Sequence, residues 1–147
     1  MTTALSVSEL ATRLKPQFGE AVNPSGDSLL VKKELLGRVA EFVKATPGLD
    51  FDYLDMITAV DYPEYFELVY RLVSLRHNHS LILKTRCTRT EPRVPSLANL
   101  WQGAGLQERE IYDLFGIGFE GHPNLKRIVL WEGFEGYPLR KDFRHGA

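Results

Sequence analysis

Cysteine is nearly missing from this sequence: Cys87 is the single one in 147 residues. An internal disulfide is thereby excluded, no cysteine cluster can hold zinc or an iron–sulfur cluster within the chain, and a reducing compartment is expected. A long apolar run is also lacking. The opening "MTTALSVSELATRLK" has acids and bases at helical spacing rather than a secretory apolar core, so export by that route is not expected. The most apolar stretch, "YFELVYRLVSL", is interrupted by Glu67 and Arg71 and falls far short of the roughly 20 residues a membrane-crossing helix needs. Membrane association is therefore expected only through a partner. Neither charge sign dominates: 18 Lys plus Arg stand against 19 Asp plus Glu, so no basic field is available to hold a nucleic-acid backbone. The Gly-rich phosphate loop, the GxSxG elbow and the HExxH pair are all missing.

What is present suits one soluble domain over residues 1–147, with 44% hydrophobic and 25% charged residues. Ser6 with Glu9 forms a capping box, followed by Leu10, Ala11, Leu14 and Phe18 on one helical face and Gly19 as a stop. "NPSGD" reads as a turn, and "SLLVKK" as a short strand leading into a second helix from about Glu34 to Lys44, which "TPG" ends. "FDYLDMITAVDY", "YFELVYRLVSL" and "SLILKTRCT" are rich in β-formers, with "RHNHS" as a tight polar connection, and predict an antiparallel meander. Phe66, Leu68, Tyr70 and Leu72 share one face of the middle strand, while the opposite face is partly polar. "TEPRVP" reads as a loop, Ser96 as the N-cap of a helix carrying Leu97, Leu100 and Trp101, and "QGAG" as its breaker. The expected architecture is α+β: N-terminal helices packed on a mainly antiparallel sheet over residues 1–90, then a helix and an extended tail over 91–147.

The densest chemistry lies in "QEREIYDLFGIGFEGHP". At 100° per residue, Leu114, Ile111, Phe115 and Tyr112 share an arc of about 160° with Glu108 near its centre, whereas Arg109 and Asp113 fall outside it as a surface pair. A carboxylate in an apolar arc is costly unless paired, and a position just after Gly105 would put Glu108 in the first turn, where the helix dipole favours it. General acid–base work by Glu108 or Glu110 would need a nucleophile or a substrate pocket nearby. The structural reading has candidate partners in Arg140 and Lys141, and predicts a Glu108 or Glu110 bridge to Arg140. His77 and His79 fall in the hairpin turn as solvated residues, without a third metal ligand close by. His122, between Gly121 and Pro123, is expected to fix a turn through its ring nitrogens. Trp131, Phe134, Tyr137 and Phe143 recur at multiples of three in a segment where Gly133, Gly136 and Pro138 prevent a long helix, a pattern suited to docking on another chain.

These residues carry a resemblance. "EREIYDLFGIGFEGHPNLKRIVL" followed by "EGFEGYPLRKDF" resembles the signature of the 30-kDa subunit of respiratory complex I, the C subunit of bacterial NADH–quinone oxidoreductase. Upstream, "LDMITAVDYPEYFELVYRLVSL" and "VPSLANLW" resemble the same family in the same order. The chain departs from the family where Gly105-Leu106 replace a frequent aromatic, where Trp131 replaces a frequent proline, and where it ends almost directly after "KDF". The resemblance implies an α+β structural subunit of the peripheral arm with no flavin, cluster or nucleotide of its own. FMN, iron–sulfur clusters and quinone would sit in partner subunits, among them a large quinone-site (49-kDa-like) subunit and cluster-bearing neighbours, on the cytoplasmic face of an energy-transducing membrane. Glu108, Arg109, Glu110 and Asp113 would then hold the signature helix, and His122, Arg140, Lys141 and Asp142 would fix the tail against the partner. The equivalent subunit of a ferredoxin-linked quinone reductase or membrane-bound hydrogenase is a related alternative. A free-standing enzyme using Glu108 or Glu110 as a general base is a third.

Overall fold

The computed structural model describes residues 3–4, 6–126 and 136–142. Helix α1 (Val7–Phe18) begins where Ser6 Oγ accepts from the Glu9 N–H at 3.4 Å, and Leu10, Ala11, Leu14 and Phe18 are its buried face. Both features match the capping box and the apolar spacing. Ser6→Ala removes the cap acceptor and is expected to cost about 0.5–1 kcal/mol, read by urea unfolding. The chain next forms β2 (Val22–Ser25) and β3 (Ser28–Val31), a tight antiparallel hairpin. Asn23, Pro24 and Ser25 therefore belong to a strand, and the turn shrinks to Gly26-Asp27, with Gly26 at φ 63°. Pro24 is tolerated because β2 is an outer strand of the sheet. A 3₁₀ turn over Lys33–Leu35 leads into α2 (Leu36–Ala45), which buries Leu36, Val39, Ala40 and Val43.

The predicted meander is present as β4 (Tyr53–Asp61), β5 (Tyr65–Ser74) and β6 (His79–Thr88). β5 pairs antiparallel with both neighbours. The main sheet has six strands in the order β2-β3-β6-β5-β4, with β1 (Thr3–Ala4) also pairing β6. β3 and β1 lie parallel to β6, which makes the sheet mixed but mostly antiparallel. Period-2 alternation does the sorting: Phe66, Leu68, Tyr70 and Leu72 are all fully buried and join Leu29, Leu83 and Ile57 in one core. On the other face Glu67 is nonetheless buried, held by Arg86 at 3.0 Å and Lys84 at 3.9 Å on β6.

Two expectations fail after residue 90. The "TEPRVP" segment contains β7 (Arg93–Pro95), which pairs parallel with β8 (Gly118–Glu120). Its partner lies more than 20 residues away, so nothing local announced it. The helix expected after Ser96 is one turn only: the Leu97 carbonyl accepts from Leu100 at 3.0 Å and Trp101 at 3.2 Å. Two side chains anchor that turn, the buried Trp101, whose Nε1–H donates to the Phe51 carbonyl at 3.0 Å, and the half-buried Lys44, whose Nζ donates to the Leu100 carbonyl. Helix α3 (Ala104–Phe115) then starts at Ala104, before the expected breaker Gly105, and ends at Gly116 in the left-handed region, φ 77°. A single helical glycine costs only about 1 kcal/mol, so α3 absorbs it.

Candidate functional site

Glu108 is the centre of the signature region, and it is completely buried. Because α3 starts at Ala104, Glu108 lies beyond the first turn, and the helix dipole is not what stabilises it. Its carboxylate takes the Ser96 hydroxyl on Oε1 at 2.6 Å and the Leu97 N–H on Oε2 at 2.7 Å. Ser96 Oγ in turn accepts from the Ala98 N–H at 3.1 Å. One side chain of α3 thus closes the single turn that follows β7. Burial pushes the Glu108 carboxyl up from 4.5, against the opposing effect of these two donors and of His122. Tyr70 lies beneath, fully buried, and its phenol is pushed well above 10 by burial and by the charge of Glu108. Burial likewise pushes the Cys87 thiol up to about 11, away from thiolate chemistry.

His122 does what its Gly-His-Pro setting predicted. Its Nδ1 accepts from the Asn124 N–H at 2.9 Å, which assigns the proton to Nε2, and Nε2–H donates to the Gly105 carbonyl at 2.8 Å. Glu108 Oε1 stands 3.9 Å from the same nitrogen. The imidazole therefore ties the turn after β8 to the first turn of α3.

The predicted bridge from Glu108 or Glu110 to Arg140 is not formed. Glu108 spends its oxygens on Ser96 and Leu97, and Glu110 is exposed. Arg140 instead donates from Nε to the Phe115 carbonyl at 2.5 Å, and the Leu139 N–H donates to the Leu114 carbonyl at 3.0 Å. The tail thereby satisfies carbonyls that the end of α3 leaves without helical partners, and it places a cation at the negative pole of the helix. The Arg140 guanidinium also lies over the rings of Tyr137 (4.8 Å) and Phe66 (5.1 Å). The expected surface pair of Arg109 and Asp113 is also corrected: Asp113 is completely buried, and Arg109 Nε donates to the Lys126 carbonyl at 3.2 Å. The 100° wheel places Asp113 outside the apolar arc, but it does not know what packs against that side of the helix.

Lys141 and Asp142 meet a pair that local sequence could not reveal. Asp61, at the end of β4, accepts from the Lys141 N–H at 2.8 Å and from Arg89 Nη1, and Arg89 Nη2 reaches Asp142 at 3.5 Å. Arg89 also donates to the Tyr62 carbonyl at 2.9 Å and covers Phe66 at 4.6 Å. Burial pushes the Asp61 carboxyl up, but the Lys141 N–H and the Arg89 guanidinium outweigh it and hold it below 3.8. Asp61 therefore contributes stability that is present above 3.8 and lost as the pH falls through its lowered value. Arg89→Ala leaves a buried carboxylate with one backbone donor and is expected to cost about 2 kcal/mol by chemical denaturation.

His77 and His79 are also fastened rather than simply solvated. His77 Nε2 meets Asp50 Oδ2 at 2.6 Å, and His79 Nε2–H donates to the Leu49 carbonyl at 2.9 Å, pinning the hairpin to the loop after α2. Among the described residues no group of three His, Cys, Asp or Glu could hold a metal ion, and no helix is long and apolar enough to cross a membrane. Of the expected docking aromatics, Tyr137 is half-buried, whereas Trp131, Phe134 and Phe143 lie outside the described residues. Asp61 and Arg89 are the site residues that sequence reasoning missed, and Ser96, read from the sequence as a helix N-cap, also gives its hydroxyl proton to Glu108.

Residues 29–147 match the family model of the 30-kDa subunit of the respiratory-chain NADH dehydrogenase. The NADH-quinone oxidoreductase C-2 subunit of Rhizobium meliloti (strain 1021) is 43% identical, over 90% of this chain and 76% of its own length. The NADH-quinone oxidoreductase C subunit of Roseiflexus sp. (strain RS-1) is 40% identical, over 98% of this chain and 87% of its own. Among solved structures, a trypsin-resistant fragment of Nqo5 superposes with a TM-score of 0.67 at 30% identity, covering 82% of this chain and all of the fragment.

Proposed function

Since this chain belongs to the family of the 30-kDa subunit of respiratory-chain NADH dehydrogenase, we propose that it is a non-catalytic structural subunit of a proton-translocating NADH:quinone oxidoreductase. Electrons would pass from NADH through FMN and iron–sulfur clusters in other subunits to quinone. The partners would be a large quinone-site (49-kDa-like) subunit and cluster-bearing subunits, and the membrane, on its cytoplasmic face, would be reached only through them. The observation that carries this reading is the use made of the signature's polar groups. Glu108, His122 and Arg140 each join separate segments: the turn after β7 to α3, the turn after β8 to α3, and the tail to the end of α3. A general base needs an open route to a proton on a substrate, whereas Glu108 is fully buried with donors on both oxygens.

The test is an affinity pull-down of the tagged chain from native membranes in mild detergent, with partner masses and NADH–quinone activity read together. Recovery in a large assembly with flavin, iron–sulfur clusters and NADH oxidation is expected. A lone soluble chain with turnover of its own would overturn the proposal.

A further inference from the structure

The strand register fixes which side chains share the sheet face turned away from the core. Phe66, Leu68, Tyr70 and Leu72 point into the core, so their alternate neighbours on β5 point the other way. On that outer face Met56, Arg71 and Ile82 form one row across β4, β5 and β6. Thr58, Val69 and Lys84 form the next, which Leu30 of β3 extends. Glu67 and Arg86 follow in the third. Val73, also on this face, is buried but stands outside the core cluster, as a separate face requires. The solvated side of an antiparallel sheet ordinarily reads polar. Here Met56, Val69, Ile82 and Leu30 are diagonal neighbours across four strands, with Met56 44% exposed and the others half-buried. Val69 lies in the middle of a strand paired on both sides, so its partial exposure leaves no described helix over this part of the face. A contiguous apolar strip without a covering layer marks an interaction surface.

The ion pairs on this face give the partner's chemistry. The charged side chains that its strands present here are Asp55, Glu67, Arg71, Lys84 and Arg86. Asp55, at the bulge of β4, takes Arg71 at 2.6 Å, and Glu67 takes Arg86 Nε at 3.0 Å. Both acids are thus spent on charged donors. Lys84 Nζ stands 3.9 Å from Glu67 Oε1, beyond hydrogen-bond reach, and has no acceptor among the described residues, although its side chain is only 30% exposed. One carboxylate is therefore shared by two bases. A partly desolvated ammonium without an acceptor, set between Val69 and Leu30, selects a partner that brings a carboxylate. A second copy of the chain brings no such group, because stacking this face on itself meets the same spent acids with the same excess of base.

We infer that the outer sheet face docks a neighbouring subunit whose apolar surface covers Met56, Val69 and Ile82 and carries an Asp or Glu against Lys84. This rests on the subunit reading above and adds a contact region distinct from the tail. Contact proceeds through side chains, since β5, at the centre of the strip, is already paired on both edges.

The experiment replaces the native chain by tagged wild type, the double variant Met56→Asp with Thr58→Asp, Lys84→Met, and Lys84→Arg, and measures by native gel the fraction of tagged chain in the NADH-oxidising assembly. Met56 and Thr58 are both exposed, so the purified double variant is expected to melt within about 5 °C of wild type. Its assembled fraction is expected to fall about tenfold or more. Lys84→Met keeps the apolar stem and loses the charge, and a fall of about tenfold is expected there too, whereas Lys84→Arg keeps a base and is expected to stay within about twofold of wild type. Wild-type recovery of all variants would overturn the inference and leave the subunit reading standing. A fall for the double variant with Lys84→Met at the wild-type level would overturn it as well, since the partner then brings no carboxylate to Lys84. A purified wild-type chain that is a dimer, and that the double variant makes monomeric, would overturn it by naming a second copy as the occupant. Wild type found outside any assembly would overturn the subunit reading together with this inference. If the double variant melts early, the contrast between Lys84→Met and Lys84→Arg decides alone.

Discussion

Replacing Glu108 with alanine is expected to destabilise the folded chain by about 3 kcal/mol, measured by urea unfolding at neutral pH. About 2 kcal/mol comes from leaving the Leu97 N–H buried without an acceptor, and the rest from the cavity left by the missing side chain, offset in part by removal of a desolvated charge. Ser96 loses its acceptor as well, but a hydroxyl can turn toward another. Glu108→Gln keeps the carbonyl that Leu97 needs and presents an amide N–H₂ to Ser96 Oγ, so its cost at neutral pH is expected to be about 1 kcal/mol. The two variants also differ in what they reveal about charge. Burial raises the Glu108 carboxyl above 4.5 in the folded state, so the proton is held more tightly there than in the unfolded chain. Its contribution to stability is fully present below 4.5 and lost as the pH rises through the raised value. The deficit of Glu108→Gln relative to wild type is therefore expected to widen as the pH falls from neutral toward 4.5. A deficit that shrinks over that range would mean that the carboxylate is favoured in the folded state and that burial is not the dominant influence.

The second large effect is expected at Gly116. This residue ends α3 at φ 77°, with its N–H on the Tyr112 carbonyl at 2.9 Å, and the tail lies against it. A Cβ there would stand 2.6 Å from the Tyr137 ring and 2.8 Å from Arg140 Nη2. Gly116→Ala is thus strained twice, by backbone conformation at about 1–2 kcal/mol and by expulsion of the ring and guanidinium that hold residues 136–142. A total of about 2–4 kcal/mol is expected, with faster hydrogen exchange at the Leu139 and Lys141 amides than in wild type. Gly26→Ala is the matched control, because φ is 63° there and nothing lies within 4 Å of the added carbon. Equal costs at the two glycines would show that the tail does not bear on Gly116.

These two sites also show where the sequence was legible. Ser6 and Gly19 were readable because a cap or stop depends on its immediate neighbours. The β4-β5-β6 meander was readable because its strands are long and joined by short connections, and His122 because glycine and proline on either side leave a turn for its ring to fix. Glu108 stood out as a carboxylate in an apolar arc, which located the site correctly. The partner chosen for it was wrong because formal charge favoured Arg140, whereas a backbone N–H and a hydroxyl at the turn after β7 were nearer. Asp61 and Arg89 are 28 residues apart and Arg93 pairs Gly118 across a gap of similar length, so only the folded topology brings them together. Asp113 was misassigned because a helical wheel describes one helix and not its surroundings.

The measurement that tests the central claim most directly is NADH:quinone turnover per assembled complex in a strain whose only copy of this chain carries Glu108→Gln. A carboxylate that holds α3 to the turn after β7 predicts fewer assembled complexes, each turning over at the wild-type rate. Normal assembly with turnover lost would contradict it, and would return Glu108 to the role of a catalytic group.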